Sequence, residues 1–170
     1  EFCDWYIELT KIRLSDKSIS ENEKSEILRS VLNILEKALR LVHPIMPFIT
    51  EEIWQHHKSH HKDSLASIMI SPFPSDDKSS DEDAYQNVEW LKETVTGIRN
   101  IRGELNIKPS TKIKALLKGG ENDDELKIEK FSSFLHQLTN LSELSWTDSV
   151  TELPPSAIYL NNDLKILIPL

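Results

Sequence analysis

Between Ile98 and Lys108 the chain reads IRNIRGELNIK, which sets Arg99, Asn100, Arg102, Asn106 and Lys108 close together. Guanidinium and ammonium groups suit phosphate oxygens and asparagine amides suit base edges, so the set is a candidate nucleic-acid contact rather than a catalytic centre. Lys11 and Arg13, near the end of the first predicted helix, extend it, and Trp5 and Tyr6 offer stacking surfaces if they are exposed. The plainer alternative is a solvated basic helix end with both aromatics in the core, because aromatics on a periodic stripe are usually buried. Spacing alone leaves both readings open.

Other chemistry is less well supported. His56, His57, His60 and His61 include pairs four apart, a spacing at which one helix can chelate an ion. A zincin helix needs Glu directly after its first His, and here that position holds His57. No carboxylate or cysteine completes a ligand set, and the simpler reading is a partly positive helix end favoured by the helix dipole. Glu51 and Glu52 are expected in the first turn of a helix, where they act as caps; adjacent helical side chains point about 100° apart and cannot flank one bond. There is no phosphate-cradling glycine loop and no nucleophile elbow. The chain reads as non-catalytic, with no catalytic, cofactor or metal residues of its own.

These residues must be positioned by a fold that composition constrains. The 170 residues include only four glycines, with 38% apolar and 28% charged side chains, a balance that favours helix over a turn-rich β fold. A single Cys3 excludes an internal disulfide and suits a reducing compartment, so a cytoplasmic location is expected. No apolar run approaches the roughly 20 residues that span a bilayer, and no membrane partner is expected. The formal charge of -8 argues against non-specific nucleic-acid binding, but the charges are unevenly placed. Asp76, Asp77, Asp81, Glu82 and Asp83 crowd one loop, whereas Arg99, Arg102, Lys108, Lys112, Lys114 and Lys118 follow with only Glu104 among them. Screening over about 8 to 10 Å makes that local balance count for more than the total.

Periodicity supplies the elements. Phe2, Trp5, Tyr6, Leu9 and Ile12 predict an amphipathic helix to about Arg13. Ser20 with Glu23 fits a capping box, and Ile27, Leu28, Val31, Leu35, Leu39 and Val42 form the stripe of a second helix. His43-Pro44-Ile45-Met46-Pro47 must end it, since proline lacks the amide hydrogen an interior turn needs. Pro47 suits the first turn of a third helix, whose apolar face is Phe48, Ile49, Ile53 and Trp54. Ile68, Met69 and Ile70 are expected in an extended connector. A fourth helix, capped by Asp81 or Asp83, aligns Ala84, Val88, Leu91, Val95, Ile98 and Arg102 on one face. Beyond Pro109 the pattern predicts strands at 112–118, 144–147, 156–160 and 164–168, a helix at 123–140, and a hairpin across Asn161-Asn162-Asp163. The expected division is a helical bundle over 1–107 and a small α/β part over 108–170.

Four stretches, FCDWYIELTK, LRLVHPIMPFITEEIWQ, SPFP and IRNIRGELNIKPS, closely resemble the carboxy-terminal region of bacterial valyl-tRNA synthetases. The elbow is shared with isoleucyl and leucyl relatives; the first and last stretches are closer to the valine enzymes. The resemblance implies a mainly α fold, the anticodon-binding helical bundle of a class I aminoacyl-tRNA synthetase followed by a small α/β subdomain. It implies that the parent activates valine with ATP and Mg, charges tRNA(Val) and edits mischarged tRNA. The HIGH and KMSKS signatures and the editing insert have no counterpart here. In the family, helices precede the position of Glu1 and a coiled-coil arm follows that of Leu170, so the chain is expected to be a piece of a longer one. The implied partners are the anticodon arm of tRNA(Val) and the catalytic domain of the same polypeptide. By resemblance, the first helix lines the anticodon side through Ile7, Glu8, Lys11 and Arg13, with Arg99, Arg102 and Lys108 as further contacts and Trp5 and Tyr6 mainly packing. The alternative of another class is a docking bundle of an isoleucyl or leucyl type that holds tRNA by shape without reading the anticodon.

Overall fold

Helix starts in this chain are set by side chains that satisfy orphan amides. In a computed structural model, which describes residues 2–58, 65–75, 81–120, 123–147, 155–161 and 163–169, Ser20 accepts from the Glu23 amide while Glu23 accepts from that of Ser20. That reciprocal pair opens α2, Glu21–Val42. The Asp81 side chain accepts from the Ala84 amide and opens α4, Glu82–Glu104. The fold divides into two compact units, Glu1–Ser79 and Ser80–Leu170.

The first unit begins with a π-helical turn, Phe2–Tyr6, running into α1, Ile7–Ser15. The opening therefore differs from the regular helix that periodicity predicts, and the rings of Phe2 and Tyr6 stack there with centroids 5.6 Å apart. After α2, the Ile45 and Met46 amides both donate to the Val42 carbonyl, and α3, Pro47–Lys58, leaves with Pro47 as its first residue. The Thr50 hydroxyl donates to the Met46 carbonyl at 2.7 Å, which leaves its lone pair for Nδ1–H of His43, also at 2.7 Å. These bonds fix the angle of the elbow.

Leu39, Trp54 and Ile68 form the core of this unit, with Leu35 packed against it. Of the face expected on α3, only Trp54 is buried; Phe48, Ile49 and Ile53 are exposed, Phe48 to 90%. Ile68–Ile70 is a 3-10 turn rather than an extended connector. Ser67 caps it by accepting from the Met69 amide, and burying Ile68 requires the chain to turn there. Glu51 lies one turn further into α3 than expected. It accepts from Gln55 (2.6 Å), the Ser67 hydroxyl (2.8 Å) and the Ile68 amide (3.2 Å), which holds its carboxyl below the ordinary 4.5, the Gln55 bond contributing most. Its role is to tie the turn to α3.

The second unit is a four-stranded sheet in the order β2-β1-β4-β3, with α4 and α5 packed against it. Its strands are β1, Ile113–Gly119, β2, Leu141–Trp146, β3, Ser156–Asn161, and β4, Leu164–Pro169. β1 and β2 run parallel, joined through α5, Asp124–Thr139, while β4 pairs antiparallel with both β1 and β3. The alternation read in 112–118 has its cause here, since Ala115 and Leu117 point into the core and Lys114 and Lys118 to the other face. β2 starts at Leu141, earlier than expected, because Asn140 takes a left-handed conformation (φ 51°) that stops α5 and turns the chain directly into the strand.

α4 belongs to this second unit. The expected division at 107/108 groups it with the preceding helices, but its buried stripe of Leu91, Val95, Ile98 and Ile101 packs within the unit that begins at Ser80. Gly97 is the point of closest approach. A Cβ there would stand 2.5 and 2.8 Å from the Tyr159 ring of β3 and 3.1 Å from Ile166 of β4. Gly97→Ala should therefore destabilise the unit by about 1 kcal/mol, the cost of overpacking less the roughly 1 kcal/mol by which alanine favours helix. Urea unfolding checks this, and a midpoint at or above that of the parent would mean that the ring yields freely. No helix among the described residues is long and apolar enough to cross a membrane.

Candidate nucleic-acid interface

The first group of nominated residues lies on α1, which buries none of its side chains fully and rests lightly on α2. Ile7 is half-buried, whereas Glu8, Lys11 and Arg13 are exposed. Lys11 Nζ lies 2.7 Å from the Glu8 carboxylate, one turn away, with both side chains about half or more exposed. Such a pair is worth a few tenths of a kcal/mol, so an arriving phosphate can take the lysine from it easily. Arg13 neighbours two acids whose carboxyls sit below their ordinary range. Asp16 is held there first by the Ser18 amide and hydroxyl and Glu23 by those of Ser20, with the Arg13 charge adding a smaller part. Trp5 and Tyr6 are half-buried, the Tyr6 ring stacks on that of Phe2, and its hydroxyl reaches Ser30 Oγ at 3.4 Å.

The second group lies in the other unit, at the end of α4. Arg99 is exposed and one terminal nitrogen donates to the Leu138 carbonyl at 3.2 Å. Lys108 is exposed in the turn that follows, as is Asn106 at φ 52°, and Asn100 is exposed on α4 itself. Arg102 differs from its expected role. It is only 7% exposed, and its terminal nitrogens donate to four main-chain carbonyls: Thr139 (3.2 Å), Lys108 (2.7 Å), Pro109 (3.2 Å) and Thr111 (2.8 Å). A guanidinium spent in this way has little left for RNA. Arg99 and Arg102 together satisfy the last carbonyls of α5, where a cation is also favoured by the helix dipole.

Asn140 adds a contact that the sequence motifs do not announce. Its side-chain amide donates to the Pro109 carbonyl at 3.0 Å, the same oxygen that Arg102 reaches, so the two clamp one turn. The one signal for it is an asparagine directly after a predicted helix, a position that favours the left-handed conformation. Of the histidine cluster, His56 is exposed beside Glu52 at 3.7 Å; His60, His61 and the side chain of His57 lie outside the described residues. Among the described residues no group of three or more His, Cys, Asp or Glu side chains could hold a metal ion.

Comparison with known proteins supplies the family. Residues 1–117 match the family described as the anticodon-binding domain of tRNA ligase. The valine-tRNA ligase of Xylella fastidiosa (strain M12) is 38% identical over 173 residues, covering 100% of this chain and 17% of that protein. That of Xanthomonas axonopodis pv. citri (strain 306) is 37% identical over 99% of this chain and 18% of its own length. That of Stenotrophomonas maltophilia (strain R551-3) is 34% identical over 100% of this chain and 18% of its own. The chain thus spans 17% or 18% of the length of these relatives. With the family pattern covering the first unit, α4 and most of β1, the chain belongs to the anticodon-binding domain family of the tRNA ligases.

Proposed function

We propose that this chain recognises the anticodon arm of tRNA(Val) as part of a cytoplasmic valine-tRNA ligase, using the outer face of α1. The observation that carries the reading is the exposure of Glu8 and Lys11 one turn apart on α1, with Arg13 exposed on a different side of a helix that buries little of itself, inside the region that matches the anticodon-binding family. The two cations supply phosphate contacts, and Glu8 and Ile7 supply polar and apolar contacts to unstacked bases. Valine activation, charging and editing, with ATP and Mg, belong to the parent's catalytic and editing parts, and its catalytic domain is the second partner of this segment.

Anticodon substitution tests the proposal. In the full-length protein, a tRNA(Val) transcript with a changed anticodon should be charged with kcat/KM lower by about tenfold or more, since a lost base contact costs roughly 1 to 3 kcal/mol. A bundle that only brackets the tRNA by shape would charge both transcripts equally, and that result would overturn base reading by this segment.

A further inference from the structure

Arg102 is a buried cation with no anion paired to it among the described residues. Its bonds go to neutral carbonyls, and among the described residues it forms no ion pair. Carbonyl dipoles solvate the guanidinium but do not cancel its charge, and buried charges are ordinarily paired. The turn it holds contributes little to the core. Asn106, Lys108, Pro109, Ser110, Thr111 and Lys112 are all exposed, and only Ile107 is half-buried. Lys114 is committed to Glu143 at 2.7 Å, which raises its pKa above the ordinary value through that bond. Lys108 and Lys112, by contrast, form no ion pair among the described residues. Two exposed lysines therefore stand on a turn pinned by the buried Arg102 guanidinium, by Asn140 and by its own bond from the Thr111 amide to the Lys108 carbonyl.

We infer that the turn from Leu105 to Lys112 is a second RNA surface, which takes backbone phosphates on Lys108 and Lys112 while Arg102 acts as the positioning residue that fixes the turn. The inference rests on the tRNA reading proposed above and adds to it a contact in the second unit, sequence-independent because phosphates carry no base identity. Pre-organisation is the benefit: lysines on a fixed turn lose less freedom on binding than lysines on a loose one.

The test is tRNA(Val) binding by the full-length protein as a function of salt. Lys108→Ala with Lys112→Ala should weaken binding on the order of tenfold and flatten the slope of log K against log salt by about 1 to 2, with the same loss for matched and changed anticodons. Lys108→Arg with Lys112→Arg should restore both. Arg102→Lys, measured well below its melting temperature, should keep the slope, because the lysines remain, yet raise Kd severalfold; an unchanged Kd would remove Arg102 from the positioning role. If the double alanine variant binds like the parent while Lys11→Glu with Arg13→Glu weakens binding, this turn is not an RNA surface and the α1 reading stands. If neither pair matters, the tRNA reading fails and this inference with it. Saturable binding of inorganic phosphate at the two lysines, without any effect of the alanines on RNA, would mark a small-anion site and overturn the inference as well.

Discussion

Replacing Arg102 with methionine should lower the stability of the second unit by about 3 kcal/mol. The substitution keeps an apolar stem and removes the donors, so the carbonyls of Lys108, Pro109, Thr111 and Thr139 lose a partner together. A hydrogen bond from a charged group contributes about 1.5 to 3 kcal/mol net, and leaving a buried acceptor unmade costs about 1 to 3. These do not add up over four bonds. Lys108, Pro109 and Thr111 are exposed residues whose carbonyls can regain water, and methionine avoids the desolvation of a guanidinium. Thr139 is only 3% exposed and its carbonyl has no such recourse. Urea unfolding followed by amide exchange in β1 and α5 reads the effect, and a midpoint within about 0.5 kcal/mol of the parent would show that the four bonds are incidental. Asn140→Gly, which removes the shared contact at Pro109 and keeps a residue that adopts the left-handed conformation, should give a smaller loss in the same amides.

The burial of Arg102 could be read in the sequence, and so could a reason to overlook it. Its place in line with Leu91, Val95 and Ile98 pointed to the interior, while its residue type pointed to phosphate. Position prevailed because the turn after α4 and the end of α5 offer carbonyls at the right distance, and two segments over thirty residues apart along the chain cannot be seen to meet from spacing. The same limit explains α4. Its stripe shows that one face is buried but not against what, for a helix and a sheet present equally apolar partners. Gly97 was the clue, since a glycine inside a buried stripe marks close approach, here to Tyr159. What could be read directly was local: the Ser20–Glu23 box, a cap at Asp81 or Asp83, the proline elbow and the hydrophobic alternation of β1, each decided within a few residues. Of the candidate interface, the exposed α1 face was legible, because Glu8 and Lys11 fall off the apolar stripe of Trp5, Leu9 and Ile12. The apolar elbow was legible as a bend and not as an exposed surface, because the stripe on α3 does not reveal that Trp54 is buried while Phe48, Ile49 and Ile53 are exposed.

Reversing both charges on α1, Lys11→Glu with Arg13→Glu, should lower kcat/KM for charging of tRNA(Val) by the full-length protein on the order of a hundredfold. On the proposed reading each substitution would remove a phosphate contact and set a carboxylate against the phosphate it served, so the effect exceeds simple neutralisation. Local losses are small by comparison. The Lys11 pair with Glu8 lies in the open at 2.7 Å and contributes at most about 1 kcal/mol, and the new like-charge neighbours on an exposed helix cost a few tenths. α1 buries none of its residues fully, so the fold has little to lose there, and circular dichroism should be unchanged. Neutral Lys11→Gln with Arg13→Gln should give a smaller loss, on the order of tenfold, and flatten the salt slope by about 1 to 2. Both variants should weaken charging alike for matched and changed anticodons, since phosphate contacts position the RNA without reading it, whereas Glu8→Gln should narrow the difference between the two transcripts. Charging that stays within twofold of the parent after double charge reversal would remove α1 as the RNA-facing helix. The family assignment would survive that result, because it rests on residues 1–117 as a whole rather than on these two side chains.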